Sequence, residues 1–486
     1  MKLYELFHGM KCVIKGDDNI EISDLKYDSR EVKRGDLFFC ISGFSEDGHV
    51  YAKDAIKKGA AAIVVTEFQE DIAETQIVVK NDRETMAMCA CRFFGFPAKR
   101  MKTIGITGTN GKTSTSYMIR EIASQAGYKV GLVGTITNMI GDKKLHTERT
   151  TPESIDLQRL LKQMADEGCD LLVMEVSSHS LMLERVHGMR FDIGVFTNLT
   201  QDHLDFHQTW DNYILAKSKL FEQSKISIIN IDDDSAANMM AAAMSEVVKY
   251  SVMQPINYAA KNINITQEQT HFTVETPTRT LHIEVNIPGI FTVYNAMAAI
   301  VATYCMGIDP FYIEKGLKEL NGVPGRFEML DTRGKDFSII LDYAHTPDGM
   351  KNVLSTIKGF APARIVTIFG CGGNRDTTKR KLMGKIAIDY SDLTIVTSDN
   401  PRFEEPSAII DEIVEGIKDS NAQYICIEKR EEAIEYAIRN AQKNDVILLA
   451  GKGHEDYQEI KGVKHDFDEK VVVQNIFDKL RIPKQK

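Results

Sequence analysis

The residues best placed to do chemistry lie in the run Ile104-Gly105-Ile106-Thr107-Gly108-Thr109-Asn110-Gly111-Lys112-Thr113-Ser114. An apolar, β-rich segment over 103–107 leads into a turn holding Gly108 and Gly111. A Lys-Thr pair comes next, and a helical pattern follows from Ser114. A nucleoside triphosphate needs that order. Glycines let the backbone approach the phosphates, and N–H groups at a helix start point at the anionic oxygens. Lys112 would reach the β- and γ-phosphates, and the Thr113 hydroxyl would bind Mg²⁺. Ile106 stands where the long form of this loop has its first glycine, so this is the short Gly-Thr-Asn-Gly-Lys-Thr form. Such a short run also occurs as a chance turn. The strand before it and the helix after it favour phosphate binding.

Further polar groups sit where apolar strands end. Glu175 closes the run 170–176 and is followed by Val176-Ser177-Ser178-His179. A carboxylate there is costly unless a cation or a water network meets it, which fits either a Mg²⁺ ligand or a solvated strand end. His203 follows the next strand, in Thr197-Asn198-Leu199-Thr200-Gln201-Asp202-His203, and reads either as a metal or phosphate ligand or as a structural histidine. Asp342 and His345 belong to a turn set by Pro347, which suits a nucleotide contact or plain turn chemistry. In Asp399-Asn400-Pro401-Arg402 the arginine follows a strand in a rigid turn. Its planar fork could grip a carboxylate twice, or pair weakly with Glu404 and Glu405 at the surface. Asn295 and Arg326 carry no signal in isolation.

The elements that must hold these groups fall into three blocks. The first runs to about residue 99, with strand-like runs at 36–41 and 60–65, and closes near Pro97. The second alternates apolar strands at 103–107, 130–134, 170–176, 193–197 and 227–230 with amphipathic stretches. That rhythm implies a mostly parallel sheet covered on both faces, with ligands at the carboxyl ends of its strands. The third begins near Arg326 and repeats the rhythm with strands at 338–342, 364–369, 393–397, 424–428 and 445–450. Two such units with polar strand ends imply a cleft between them.

Composition narrows the class. With 486 residues the chain needs two to four domains. It is 43% hydrophobic and 26% charged, as globular proteins are. A formal charge of −10 argues against a general nucleic-acid binder. Mean hydropathy is −0.22, and the lack of a run of about 18 apolar residues gives no transmembrane helix. The start Met1-Lys2-Leu3-Tyr4-Glu5-Leu6-Phe7 lacks a signal-peptide core. The eight cysteines are scattered and form no zinc spacing, so buried free thiols in a reducing cytoplasm are expected.

Taken in order, Gly108–Thr113, Glu175–His179, Thr197–Leu199 with Asp202-His203-Leu204-Asp205, Asp342–Pro347 and Gly451-Lys452-Gly453-His454-Glu455 closely resemble the Mur ligases. These are ATP-dependent amide-forming enzymes of peptidoglycan precursor synthesis, and the resemblance spans nearly the whole chain. Asp399-Asn400-Pro401-Arg402 with Glu404-Glu405-Pro406 is similar to the signature of the branch that adds diaminopimelate; lysine-adding relatives differ where Arg402 stands.

The resemblance implies an α/β protein of three domains. These are a smaller N-terminal α/β domain for the UDP-sugar (1–99), a central P-loop ATPase-type domain with a parallel sheet (100–327) and a C-terminal Rossmann-like domain for the amino acid (328–486). It implies that Gly108, Thr109, Asn110, Gly111, Lys112, Thr113, Ser114, Asn295, Arg326, Asp342 and His345 bind ATP. Thr113, Glu175 and His203 would bind Mg²⁺, with Lys112, Lys217, Glu175 and His203 as the catalytic set and Lys217 carbamylated. Ser29 (with Asp28, Arg30 and the loop Ser42 to His49), Thr150, Thr151, Ser178 and Arg185 would hold UDP-N-acetylmuramoyl-dipeptide, although Leu183 stands where the family often has glutamine. Arg380, Asp399, Asn400, Pro401, Arg402, Gly451 and Glu455 would hold meso-diaminopimelate. The enzyme is expected to be a cytoplasmic monomer acting on small molecules, with no nucleic acid or membrane insertion. A lysine-adding ligase of the same family and a folylpolyglutamate synthetase-like ligase are the alternatives. The second lacks a UDP-sugar domain, whereas 99 residues precede the central block here.

Overall fold

The structure is a computed structural model that describes residues 1–43 and 46–482; residues 44 and 45 of the loop expected at the UDP portion lie outside the described residues. Among the described residues the strands form five sheets. The N-terminal sheet has the order Cys12–Lys15, Thr75–Val79, Ala62–Val65, Leu37–Phe39, Leu25–Lys26. Only its Cys12–Lys15 edge is antiparallel.

The central sheet sets the site. Lys102–Thr107 lies in its middle, flanked by Leu171–Glu175 and Phe191–Phe196. Beyond Phe191–Phe196 come Ser224–Asn230 and Glu246–Tyr250, and beyond Leu171–Glu175 comes Val130–Val133; all these pairings are parallel. The antiparallel strands Asn138–Ile140 and Lys143–Leu145 complete the other edge. From Lys102–Thr107 the chain winds first to one side and then to the other. The carboxyl ends of Thr107, Glu175 and Phe196 therefore bracket a switch point, where α/β sheets take ligands. Helix Lys112–Gln125 starts at Lys112, two residues before the expected helical pattern. Helix Ile290–Cys305 is apolar nearly all round, because it is sandwiched between Lys112–Gln125 and the antiparallel sheet Ala260–Ile265, Thr270–Glu275, Thr280–Val285.

The third large sheet has the order Glu328–Leu330, Ser338–Asp342, Val446–Ala450, Ile365–Phe369, Leu393–Val396, Tyr424–Cys426, and is parallel except at its first pair. The chain is thus α/β, built on three sheet-centred bodies. The expected strands are present within a few residues, whereas the antiparallel edges, the sheet over 260–285 and the hairpin Tyr457–Ile460/Val463–Asp466 were not anticipated. One expectation is corrected: Cys426 is exposed and Cys12 and Cys305 are half-buried, while the other five thiols are buried. Cys426 sits on a three-residue edge strand whose outer side faces solvent.

Candidate active site

The phosphate loop is held by its neighbours before any ligand arrives. Asn110 donates its backbone N–H to Asn198 Oδ1 at 2.9 Å, and Thr197 Oγ1 donates to Asn110 O at 2.7 Å. Thr109 Oγ1 and Tyr213 OH share a hydrogen bond of 2.9 Å. Gly111 has φ +87°, and a Cβ there would collide with Asn295 Oδ1, so the turn requires glycine. Lys112 Nζ folds back onto Gly108 O and Thr109 O, each at 2.8 Å, with desolvation lowering its pKa.

Lys217 is buried and donates to the same Gly108 carbonyl at 2.7 Å. Desolvation first, then the neighbouring Lys112, pushes its pKa far below the usual lysine value, which favours a neutral, nucleophilic amine. Beside the loop, buried Glu175 takes hydrogen bonds from Thr113 Oγ1 (3.0 Å), Thr135 N (3.0 Å) and Thr135 Oγ1 (2.9 Å). Its three hydrogen-bond donors are neutral hydroxyl and amide groups. Two hard oxygens side by side, a hydroxyl and a carboxylate, suit Mg²⁺. His203 sits at the start of helix Leu204–His207 with φ +55°, its Nε2 3.3 Å from Asp202 Oδ2. Desolvation holds its imidazole well below the ordinary pKa and so neutral, the form that ligates metals.

Thr109 to Thr113, Thr135, Glu175, Asn198, Asp202 and His203 line one cavity of about 660 Å³, together with Ser114, Thr150, Thr151, Arg185 and Asn295 from the central body and Arg326, Asp342, Tyr343, His345 and Asp348; Gly108 and Lys217 lie behind that wall. Thr151 Oγ1 donates to Glu175 O (2.8 Å), and Arg185 donates to Thr151 O (3.0 Å) while pairing with Glu153 at 2.7 Å. Buried Ser178 is bonded to His207 Nε2 at 2.9 Å. Arg326 reaches Thr113 Oγ1 at 3.3 Å and stacks on Tyr343, with its buried Nε lacking a partner. Asp342 borders the cavity, but both its oxygens accept backbone N–H groups, from Phe327 and Ala344, each at 2.7 Å. Asn110 Nδ2 donates to Asp348 Oδ2 (2.9 Å) and Gln201 Nε2 to Thr378 Oγ1 (2.9 Å), so the cavity straddles the seam between the two larger bodies.

The 399–402 loop is not among the walls of that cavity. Tyr343 links the two, through its OH to Glu455 Oε1 at 3.4 Å. Asn400 Nδ2 donates to Glu455 Oε2 (2.8 Å), and fully buried Lys452 reaches Asn400 Oδ1 (3.2 Å) and Glu455 Oε2 (3.3 Å). Gly451, φ +112°, would bring a Cβ to 2.8 Å from Asp399 Oδ2. Pro401 O accepts from Glu404 N (3.0 Å). The surface pairing considered for Arg402 falls instead to Arg380, which is buried and gripped by Glu404 and Glu412. Arg402 pairs with Glu459. Ser29 lies in the N-terminal body, buried, its carbonyl accepting from Lys58 Nζ at 2.9 Å.

Sequence reasoning did not single out Thr135, Glu153, Tyr213, Lys452 or Glu459. Lys452 was within reach, standing inside a strand-end motif already marked. The others carry no pattern of their own.

Comparison with known proteins supplies the last observation. Residues 21–93, 106–303 and 325–453 match the family descriptions "Mur ligase family, catalytic domain", "Mur ligase middle domain" and "Mur ligase, glutamate ligase domain". The chain is 46% identical to UDP-N-acetylmuramoyl-L-alanyl-D-glutamate–2,6-diaminopimelate ligase 1 of Clostridium acetobutylicum, over 99% of this chain and 100% of that one. It is 47% identical to the corresponding ligase of Caldanaerobacter subterraneus subsp. tengcongensis, over 98% and 99%. A solved structure of a ligase of that name superimposes with TM-score 0.70 at 31% identity, covering 99% and 100%. Folylpolyglutamate synthase of Mycobacterium tuberculosis shares the fold alone, with TM-score 0.63 at 16% identity over 83% of this chain.

Proposed function

The chain belongs to the Mur ligase family, and on that premise we propose that it is the ATP-dependent ligase joining meso-diaminopimelate to the side carboxylate of UDP-N-acetylmuramoyl-L-alanyl-D-glutamate, in peptidoglycan precursor synthesis. The observation that carries this reading is the grouping in one cavity of residues 109–113, the Thr113–Glu175 pair and the Thr151–Arg185 pair, with Tyr343 leading through Glu455 to the 399–402 loop. Near-identical length and about 46% identity to ligases bearing that substrate in their name support it.

The chemical obstacle is repulsion between an anionic carboxylate and a polyanionic triphosphate. Lys112 leaves its two carbonyls for the β- and γ-phosphates, and the loop N–H groups and the start of helix Lys112–Gln125 face the same oxygens. Thr113 and Glu175, with His203 on the wall of the same cavity, are the residues that would hold Mg²⁺, which when bound would neutralise phosphate charge. Thr150, Thr151, Ser178 and Arg185 fix the muramoyl-dipeptide so that its side carboxylate faces the γ-phosphorus, while Ser29 and its neighbours take the UDP end. The carboxylate oxygen forms a bond to phosphorus as the bond to ADP breaks, giving an acyl phosphate. The neutral diaminopimelate amine then bonds to the acyl carbon, the bond from that carbon to the phosphate oxygen breaks, and the amine's proton passes to the departing phosphate or to solvent.

The neutral Lys217 amine adds CO₂ and loses a proton to become an anionic carbamate, which puts a negative partner beside Lys112 where a neutral amine stood. Asn295, Arg326, Asp342 and His345 hold the nucleotide, with Asp342 acting through the backbone it braces. Arg402, Asp399, Asn400 and Glu455 take the second centre of diaminopimelate, on a loop shaped by Pro401, Gly451 and buried Arg380. This reading takes 1–99, 100–327 and 328–486 as units; the contacts Asn110–Asp348 and Gln201–Thr378 support closure of the last two over the acyl phosphate, which shields it from water.

The test is isotopic. With ¹⁸O in the D-glutamate side carboxylate, one labelled oxygen must appear in inorganic phosphate. Unlabelled phosphate would refute the acyl-phosphate route.

A further inference from the structure

The hairpin Tyr457–Ile460/Val463–Asp466 lies outside every motif described above, yet it carries the loop on which the choice of amino acid depends. Its residues 458 and 459 hold that loop from end to end. Gln458 Nε2 donates to Asp399 O at 2.6 Å. Glu459 N donates to Asn400 Oδ1 at 2.9 Å. Arg402 N donates to Glu459 O at 3.0 Å, and Lys461 N donates back to Arg402 O at 2.7 Å. The Arg402 backbone is left-handed, φ +53°, a conformation that L-residues hold only when their surroundings impose it. Here the hairpin strand imposes it.

The side chains repeat the arrangement. Arg402 Nε donates to Glu459 Oε2 at 3.1 Å, and Nη1 donates to Gly373 O at 2.9 Å. Two of the three guanidinium nitrogens, Nε and Nη1, are therefore held, while no described residue is hydrogen-bonded to Nη2. A guanidinium free to rotate about its last bonds grips a carboxylate poorly, since bidentate recognition needs the plane set in advance.

We propose that Glu459 is a positioning residue for amino-acid selection: it clamps Arg402 through Nε, and Asn400 through its own backbone, so that the open end of the guanidinium meets the second carboxylate of the incoming amino acid. This rests on the reading that Arg402 binds that carboxylate. The competing role for Glu459, a stand-in that occupies the ligand's place, is disfavoured by the geometry. A stand-in for a bidentate ligand would take two N–H groups, whereas Glu459 engages Nε through one oxygen and is tied to Arg402 through the backbone in both directions.

The experiment compares Glu459→Ala, Glu459→Gln and Arg402→Ala in the full-length enzyme, measuring KM for diaminopimelate and for ATP, and kcat. Loss of one charge-assisted hydrogen bond is expected to raise the diaminopimelate KM of Glu459→Ala about 10- to 100-fold. The ATP KM and kcat stay within about twofold, because Glu459 is not a wall of the cavity assigned to ATP. Glu459→Gln keeps an acceptor for Nε and should restore the diaminopimelate KM to within about threefold of the parent. An unchanged or lowered diaminopimelate KM in Glu459→Ala overturns the proposal, as does a Glu459→Gln variant as impaired as the alanine one. If Arg402→Ala leaves the diaminopimelate KM unchanged, the reading of Arg402 itself has failed instead.

Discussion

Replacing Arg402 by alanine isolates recognition of the second carboxylate. Its side chain is 18% exposed, and its charge is partly met already by Glu459 at 3.1 Å. Removing one partner of a buried, hydrogen-bonded charge pair costs about 2–5 kcal/mol. Residual exposure and the standing counterion place Arg402 at the low end, so a loss of about 2–3 kcal/mol, about 30- to 150-fold in KM for diaminopimelate, is expected. Backbone strain does not confuse the result. Alanine bears the same Cβ penalty at φ +53° that arginine bears. The residue is not a wall of the cavity assigned to ATP, so the ATP KM should hold within about twofold. The assay is phosphate release with diaminopimelate varied at saturating ATP and UDP-sugar substrate, then with ATP varied. Equal losses for both ligands would refute the reasoning, because they would mean that Arg402 supports the fold or the chemistry and not one ligand.

Three further outcomes are expected. Lys112→Ala should abolish turnover yet keep a near-parental melting curve, since among the described residues Lys112 Nζ bonds only to carbonyls of its own loop; a collapsed melting curve would contradict this. Lys217→Ala should also be inactive, with partial recovery on adding short carboxylic acids that replace the carbamate, and normal turnover in the variant would rule the carbamate out. Burial, with Arg326 next, pushes His454 down to about 3, so the folded protein keeps it neutral where the unfolded chain binds a proton. Its contribution is complete above about pH 6.5 and fades as pH falls toward 3. Melting temperature should therefore drop with acidification across that window, and less steeply in His454→Asn; identical slopes would remove His454 as a cause.

How much of this was legible in the sequence depends on how local each signal is. The phosphate loop is local: glycines, lysine and threonine stand in one run, and Lys102–Thr107 and Lys112–Gln125 begin within two residues of where the pattern put them. Parallel strands buried on both faces are equally plain, because their apolar runs are continuous. The polar edges were not legible. Ala260–Ile265 alternates buried and exposed positions weakly, and Glu328–Leu330 is three residues long. Partners distant in sequence were hidden for a different reason. Arg380 with Glu404 and Arg402 with Glu459 are set by how loops fold back across the sheet ends, and nearness in sequence pointed to Arg402 with Glu404. Likewise nothing about Thr135 marks it as a donor to Glu175, 40 residues away.

The central claim is that this chain is a ligase selective for diaminopimelate. Phosphate release with ATP, Mg²⁺ and UDP-N-acetylmuramoyl-L-alanyl-D-glutamate, compared across meso-diaminopimelate, L-lysine and no amino acid, tests it most directly. Release with diaminopimelate alone is the expected result. Release with lysine would contradict the role given to Arg402, and release with none of the three would contradict the ligase assignment itself.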